Sequence, residues 1–337
     1  MLRAKGIDLS KVLVLGSNSF GACHLIDDLL SENYSVIGVS RSELKSSSFL
    51  KYLKNSKVEN FQFIKLDINR EFDRLIATVE SHQPEFIVDF AGQGMVAESW
   101  DNPSSWYETN IVSKVRFHQK LMKYNFLHKY IRISTPEVYG SSETLLFETS
   151  PYKPSTPYAL SHAAIDQHLS LIQTQYNFPV VIGRFANFYG PGQQLFRIIP
   201  KTFMKFKNSQ KLMLHGGGLS QRAFIHGADV SSAIRRLISD GSVGEVYHFS
   251  SDEIYSIYEI VVRIADILGL EPDKMVEAVA DRPGKDHRYM MDTSKSESNL
   301  NWSPVVDLHT GLEQVESWIQ SNLEEFNAMS LEYKHVN

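Results

Sequence analysis

Cysteine is nearly absent: Cys23 is the only one in 337 residues. No intrachain disulfide can form, so the fold must rest on its core, and a reducing, cytoplasmic setting is expected. Long apolar runs are absent too. None approaches the ~20 residues of a membrane span, and Met1-Leu2-Arg3-Ala4-Lys5 is not followed by the apolar segment of a signal peptide. There is no excess of positive charge. The formal net charge of -5 argues against nucleic acid as the main partner, although a few local arginines can still hold a small anion. No metal-ligand spacing joins His215 to His226 or to other candidates, so no metal is expected. There is no internal repeat and no low-complexity segment. What remains is ordinary for a globular protein, with 42% hydrophobic and 22% charged residues. The length suits one large α/β unit or two intimate lobes.

Short β-branched runs alternate with helical patterns through the first half. Strands are expected at Lys11–Leu15, Ser35–Val39, Phe61–Leu66, Phe86–Phe90, Tyr130–Ser134 and Val180–Arg184, with another at Glu245–Ser250. Helices are expected near Phe20–Leu30, Phe72–Ser81, Ser104–Tyr124, Tyr158–Gln175 and Ser256–Leu268. Repeated βαβ units imply a Rossmann-type, doubly wound parallel sheet whose ligands bind beyond the carboxyl ends of its strands. Glycine clusters at Gly190-Pro191-Gly192 and Gly216-Gly217-Gly218 break the later part into shorter pieces. The expected division is a dinucleotide-binding domain over 8–185 plus about 225–252. A smaller C-terminal substrate-binding lobe would take about 186–224 and 253–325, leaving 326–337 as a frayed tail.

The first strand runs into Gly16-Ser17-Asn18-Ser19-Phe20-Gly21-Ala22. Small residues between a strand and a helix let backbone N–H groups and the helix N-terminus approach a pyrophosphate. Against a Gly-x-x-Gly-x-x-Gly turn the chain has Gly16, Ser19 and Ala22, so a plain strand-to-helix turn fits as well. The second strand ends Val39-Ser40-Arg41-Ser42 without the carboxylate that would take an adenosine ribose. Arg41 with Ser40 can receive a 2′-phosphate, or Arg41 can simply stand in solvent; NAD and NADP both stay open. Asp67-Ile68 is placed to meet the adenine, and Ala91-Gly92-Gln93 is small enough for backbone contact with the cofactor.

The chemistry concentrates in two segments. One is Ser134-Thr135-Pro136-Glu137-Val138-Tyr139-Gly140 after the fifth strand. The other is Tyr158 with His162 one helical turn later. Residues i and i+4 share a helix face, so His162 can act on the Tyr158 phenol. An unperturbed Tyr titrates near ~10 and a His near ~6.5. A neutral His162 would help the phenol ionise little; a protonated one would help, but its population falls above neutral pH.

With these segments in place the chain resembles the extended short-chain dehydrogenases/reductases, and among them the nucleotide-sugar 4,6-dehydratases, from Lys11 to Pro304. The markers, in order, are Ser134-Thr135-x-Glu137-Val138-Tyr139-Gly140, Ser155-x-Pro157-Tyr158-Ala159-x-Ser161, Arg184-x-x-Asn187-x-Tyr189-Gly190-Pro191, Arg222-x-Phe224-Ile225-His226-x-x-Asp229 and Asp281-Arg282-Pro283-Gly284-x-Asp286-x-Arg288-Tyr289. The resemblance implies that Tyr158 takes the proton of the sugar C4 hydroxyl, with Thr135 bonded to the same oxygen. A tightly bound, recycled NAD or NADP would accept hydride. Glu137 would then remove the C5 proton before water leaves from C6. It also implies that Asn110 supports the catalytic helix beside the cofactor, and that Asn187, Arg222 and Arg288 hold the nucleotide-sugar diphosphate. A homodimer through the helices of Ser104–Tyr124 and Tyr158–Gln175 follows by the same likeness.

Three positions depart from the family pattern: the glycine turn, Pro136 where dTDP-glucose dehydratases carry an aspartic acid, and His162 where the family carries lysine. Slower C4 oxidation than in a lysine enzyme is expected, with lysine at 162 raising turnover. Two other functions fit the same residues: a C4 dehydrogenase or epimerase without dehydration, and a cofactor-binding sensor or weakly catalytic scaffold.

Overall fold

The computed structural model describes residues 10–280 and 287–333. The marker residues Asp281-Arg282-Pro283-Gly284-x-Asp286 lie outside them, as do residues 1–9 and 334–337. The first half alternates strand and helix: β1 (Lys11–Leu15), α1 (Phe20–Ser31), β2 (Ser35–Ser40), β3 (Phe61–Lys65), α2 (Phe72–His82), β4 (Phe86–Asp89), α3 (Pro103–Tyr107), α4 (Ser113–Leu121), β5 (Lys129–Ser134) and α5 (Pro157–Tyr176). Strands Val180–Phe185 and Val246–Phe249 complete a seven-stranded parallel sheet. Read across, its order is Val246–Phe249, Val180–Phe185, β5, β4, β1, β2, β3. The order reverses between β1 and β4, and a crevice opens there at the carboxyl ends.

Both faces of the sheet are covered, which is why its strands are apolar throughout. Along β1, Val12 and Val14 enter one core with α1 and the helix Gly227–Ser239. Leu13 and Leu15 enter the other, with α2, α4 and α5. The two-residue side-chain period of a strand produces this split. Caps fix the helices that matter for the site. The Ser19 hydroxyl accepts from the Ala22 amide at the start of α1. The Thr156 hydroxyl accepts from Ala159 at the start of α5, where Pro157 takes the first turn.

A second core lies past residue 186. It joins helices Ile198–Lys207, Ile257–Ile267 and Leu308–Ser321, and the chain reaches it through a three-stranded sheet of Asn187–Tyr189, Gln221–His226 and Ile254–Ser256. No helix among the described residues is long and apolar enough to cross a membrane, and none of their His, Cys, Asp and Glu side chains form a metal-holding cluster.

Two expectations need correction. The helix predicted over Ser104–Tyr124 is interrupted by a π-helical turn, Glu108–Val112. This widened turn carries Asn110 into the interior, where its amide is fully bonded. The tail expected to fray from residue 326 is ordered through Tyr333. Phe326 is fully buried against Phe49 and Trp318 at the end of the helix Leu323–Asn327. Beyond it, Glu332 pairs with Lys201 at 2.8 Å and the Tyr333 ring meets Phe196 at 5.2 Å. A few apolar anchors outweigh the polar composition of this stretch.

Candidate active site

A cleft of about 1320 Å³ opens over the carboxyl ends of β1, β2, β4 and β5 and extends to the second core. At one end Gly16 has a φ of 76°, and a Cβ there would sit 2.8 Å from the Ala91 amide nitrogen, so only glycine lets the turn lie against the β4 loop. The amides of Gly16 and Ser17 donate to the Val39 carbonyl, closing the turn onto β2. Asn18 ties it further: its amide donates to the Ser42 hydroxyl at 3.0 Å and the Glu43 carbonyl at 2.8 Å. The first turn of α1 carries no acid, so its N-terminal field faces the cleft uncompensated. Ser19 and Ala22 stand where glycines were looked for, and both are small.

A smaller pocket of about 220 Å³ lies behind, lined by Gly16, Ser40, Arg41, Asp67 and Ile68 among others. No carboxylate ends β2. Ser40 accepts from the Asn18 amide, Lys45 donates to the Asn18 carbonyl at 3.0 Å, and Glu43 is held by Lys65 at 2.6 Å. Asp67 accepts from the Asn69 amide at 2.8 Å. The turn, the donor-rich β2 edge and the cleft volume fit a dinucleotide with its pyrophosphate over α1.

At the other end the cleft gathers Thr135, Glu137, Tyr158 and His162. Thr135 leaves β5 and accepts the Glu137 amide at 3.3 Å, capping the short turn Pro136–Tyr139. Its hydroxyl also bonds the Tyr158 phenol. Burial, and then the Glu137 carboxylate, push the Tyr158 pKa up; the Thr135 bond, Arg197 and Arg132 pull it back. The Tyr158 and His162 rings lie 4.5 Å apart. His162 is neutral, held well below the ordinary imidazole range by burial first and by Arg132 and Lys114 next. Arg132 donates to its Nδ1 at 2.9 Å.

Ser19, Phe20, Arg41, Asp67, Ala91, Gly92 and Gln93 also line the main cleft, as do Asn187 and Arg222. Gly16, Ser40 and Ile68 line only the smaller pocket, and two predicted site residues line neither. Arg288 lies outside both pockets: its guanidinium donates to the Met290 sulfur at 2.8 Å and stands 4.0 Å from Glu143, because the short pairing of Met290–Met291 with Leu145–Leu146 carries it that way. Asn110 is fully buried and lines neither pocket. Its side chain accepts from the Gln93 amide at 2.9 Å and donates to the Ser161 hydroxyl at 2.9 Å, linking the β4 loop to α5. It therefore meets no open space of the cleft itself.

Three further features meet the site, two of which, Glu98 and the buried charge network, sequence reading missed. Arg197 lines the cleft and is influenced by both Tyr158 and Glu137. Glu98 lines it as a further carboxylate, one residue before Ser99, whose hydroxyl accepts from the Tyr158 amide at 3.2 Å. Behind Tyr158 lies a buried charge network. Lys114 pairs with Asp89 at 2.5 Å, Arg132 with Asp166 at 3.3 Å, and Arg184 with Asp166 at 3.4 Å. Charged residues inside apolar strand and helix patterns were the available signal for it.

The family described as GDP-mannose 4,6 dehydratase matches residues 13–315. A dTDP-D-glucose 4,6-dehydratase of Mus musculus is 31% identical, the match covering 93% of this chain and 89% of the relative. A dTDP-glucose 4,6-dehydratase of Xanthomonas campestris is 30% identical over 77% of this chain and 79% of its own. Among solved structures, a dTDP-glucose 4,6-dehydratase of Streptomyces venezuelae with NAD bound superimposes with a TM-score of 0.86 at 28% identity, covering 94% of this chain and 98% of that one.

Proposed function

The chain belongs to the GDP-mannose 4,6-dehydratase family, the nucleotide-sugar dehydratases that work with a bound nicotinamide dinucleotide, and from that premise we propose how its own residues perform the reaction and on what. The substrate is a nucleoside-diphosphate hexose, with dTDP-glucose the first to test. Tyr158 takes the proton of the C4 hydroxyl, Thr135 holds that oxygen, and Glu137 removes the proton at C5, which the new C4 ketone has acidified. The dinucleotide, when bound, supplies hydride acceptance at the start and hydride return at the end. Asn187 and Arg222 hold the diphosphate; Arg288 is given no part in this. The observation that carries the reading is the convergence of Thr135, Glu137 and Tyr158 on one cleft.

Residues 8–185 with about 225–252 serve the dinucleotide, and about 186–224 with 253–325 the sugar nucleotide. NAD is the first dinucleotide to test, since the solved relatives hold it; the β2 edge, with Ser40, Arg41 and Lys45, carries donors suited to the 2′-phosphate of NADP as the alternative. A cytoplasmic homodimer uses α4 and α5, where Leu160 and Leu171 remain 47% and 69% exposed on one helix face.

Mass spectrometry after incubation with a panel of nucleotide sugars tests the reaction. Loss of one water from the substrate supports it, and Tyr158→Phe should lower turnover by about 10²–10⁴-fold with the fold intact. Pro136 favours a second reading, a C4 epimerase or dehydrogenase. It is buried, does not line the cleft and leaves the C6 hydroxyl without an acid at that position. An isomeric product of unchanged mass would select that reading.

A further inference from the structure

The proposed role of Tyr158 as a base, on which this inference rests, requires positive charge near its phenol. Position 162 supplies none, because His162 is neutral. The charge lies one residue further back. We infer that Arg132 is a positioning residue for catalysis: it fixes His162 as the Nε2–H tautomer and brings to that ring the permanent positive charge that the imidazole itself does not carry.

The hydrogen bond sets the tautomer. A guanidinium has donors only, so a His162 Nδ1 that lies 2.9 Å from Arg132 Nη2 must be the acceptor, and the ring proton must sit on Nε2. His162 lines the cleft beside Tyr158, so its ring presents a fixed donor, not an acceptor, at its Nε2. A guanidinium also stays charged at every relevant pH, unlike an imidazole.

The surrounding charges hold Arg132 without cancelling it. From α5, Asp166 accepts its Nε at 3.3 Å; from β4, Asp89 stands 3.8 Å from Nη1. Asp89 is already engaged by Lys114 of α4 and by the Tyr130 hydroxyl of β5 at 2.7 Å. Asp166 is shared with Arg184 and with the Ser134 hydroxyl at 2.5 Å. Three cations, Lys114, Arg132 and Arg184, thus face two carboxylates, Asp89 and Asp166. Below about pH 8, the value to which burial lowers Lys114, the network keeps one positive charge in excess, and Arg132 is its member in contact with the His162 ring. Glu137 also acts on Tyr158, in the opposing direction, and Arg197 adds to Arg132 in the favourable one.

This changes what lysine at position 162 would do. An ammonium there would meet the Arg132 guanidinium in place of an acceptor, so His162→Lys alone should lower turnover rather than raise it. Positions 132 and 162 are coupled.

The first arm of the test uses the unaltered full chain with bound dinucleotide and 15N-histidine NMR. His162 should carry its proton on Nε2 and stay neutral from pH 8 to pH 5; a proton on Nδ1, or ordinary titration, overturns the inference. The second follows reduction of the bound dinucleotide in a single turnover against pH. Arg132→Gln keeps a donor to Nδ1 without charge, and Arg132→Met keeps neither. Both should move the midpoint of the rate profile up by about one pH unit, slowing the step about tenfold at neutral pH. Dinucleotide affinity should fall only in Arg132→Met. A midpoint unmoved in either folded variant overturns the charge role. Arg132→Gln with His162→Lys should recover at least tenfold over His162→Lys alone, and simple additivity overturns the coupling. A wild-type protein inert toward every nucleotide sugar would defeat the proposed function instead, and the NMR arm would still decide the tautomer.

Discussion

The two ends of this molecule are held together by different physics. The second core is apolar: Phe203, Ile260, Ile264, Leu312 and Val315 fill it without a charged partner. Beneath the catalytic helix, Lys114, Asp89, Arg132, Asp166 and Arg184 are buried together. An apolar core loses stability roughly in proportion to what is removed from it. A buried charge network behaves otherwise, because removing one partner leaves the others uncompensated. The contrast teaches that the sheet end keeps buried charge beneath Tyr158, while the second core is held by apolar burial.

Breaking the network should have the largest effect. Asp89→Asn leaves Lys114 and Arg132 short of a carboxylate and should destabilise the protein by about 3–5 kcal/mol, read as the midpoint of urea unfolding. Next comes Leu312→Ala in the apolar core, with a loss of about 2–5 kcal/mol and the single-turnover midpoint pH unmoved. If the apolar change moved that midpoint as much as the network change, the contrast would collapse.

Acid sharpens the comparison with a smaller effect per group. Burial lowers His24 and His248 to about 3 and His226 to about 4. A histidine kept neutral by folding contributes stability that is complete above its ordinary value near ~6.5. That contribution drops by about 1.4 kcal/mol for each pH unit below it, down to the folded value. Denaturant melts at pH 6.5 and 5.5 should differ accordingly, and His248→Phe should flatten the dependence. The smallest change belongs to the cofactor edge. Arg41→Ser should cut any preference for NADP over NAD by about tenfold, or roughly 1.4 kcal/mol, leaving stability unaltered. Competitive binding of the two dinucleotides measures it.

Much of the sheet was legible in sequence because β-branched runs such as Lys11–Leu15 stand between turn residues. The carboxyl-end loops then carried Thr135, Glu137, Tyr158 and the Gly16 turn to one crevice by topology alone. Other features were not legible, for identifiable reasons. In Lys129-Tyr130-Ile131-Arg132-Ile133-Ser134 the arginine alternates like a solvent-facing residue; it is buried only because Asp89 and Asp166 arrive from distant segments. The π turn at Asn110 has no propensity signature, since tertiary bonds to Gln93 and Ser161 create it. Arg288 matched a diphosphate-binding pattern, yet strand pairing at Met290 turned it away. Glu98 sits on a short turn after β4 that packs on α5, and Arg197 on the N-cap of Ile198–Lys207, which belongs to the second core.

The way the second core is assembled also bears on how the chain is made. Tyr189, at the first crossing into that core, meets Gly311 directly, and its hydroxyl donates to the Asp307 carbonyl. The apolar face of Ile198–Lys207 is covered in part by Leu308–Ser321. On a ribosome the second of these segments emerges about 100 residues after the first, a wait of roughly 5–20 s at ordinary elongation rates. Throughout that interval Ile199, Phe203 and Phe206 lack their final partners. The nascent protein should therefore be most dependent on chaperones just before its last helices are synthesised, when the parallel sheet is already available to fold.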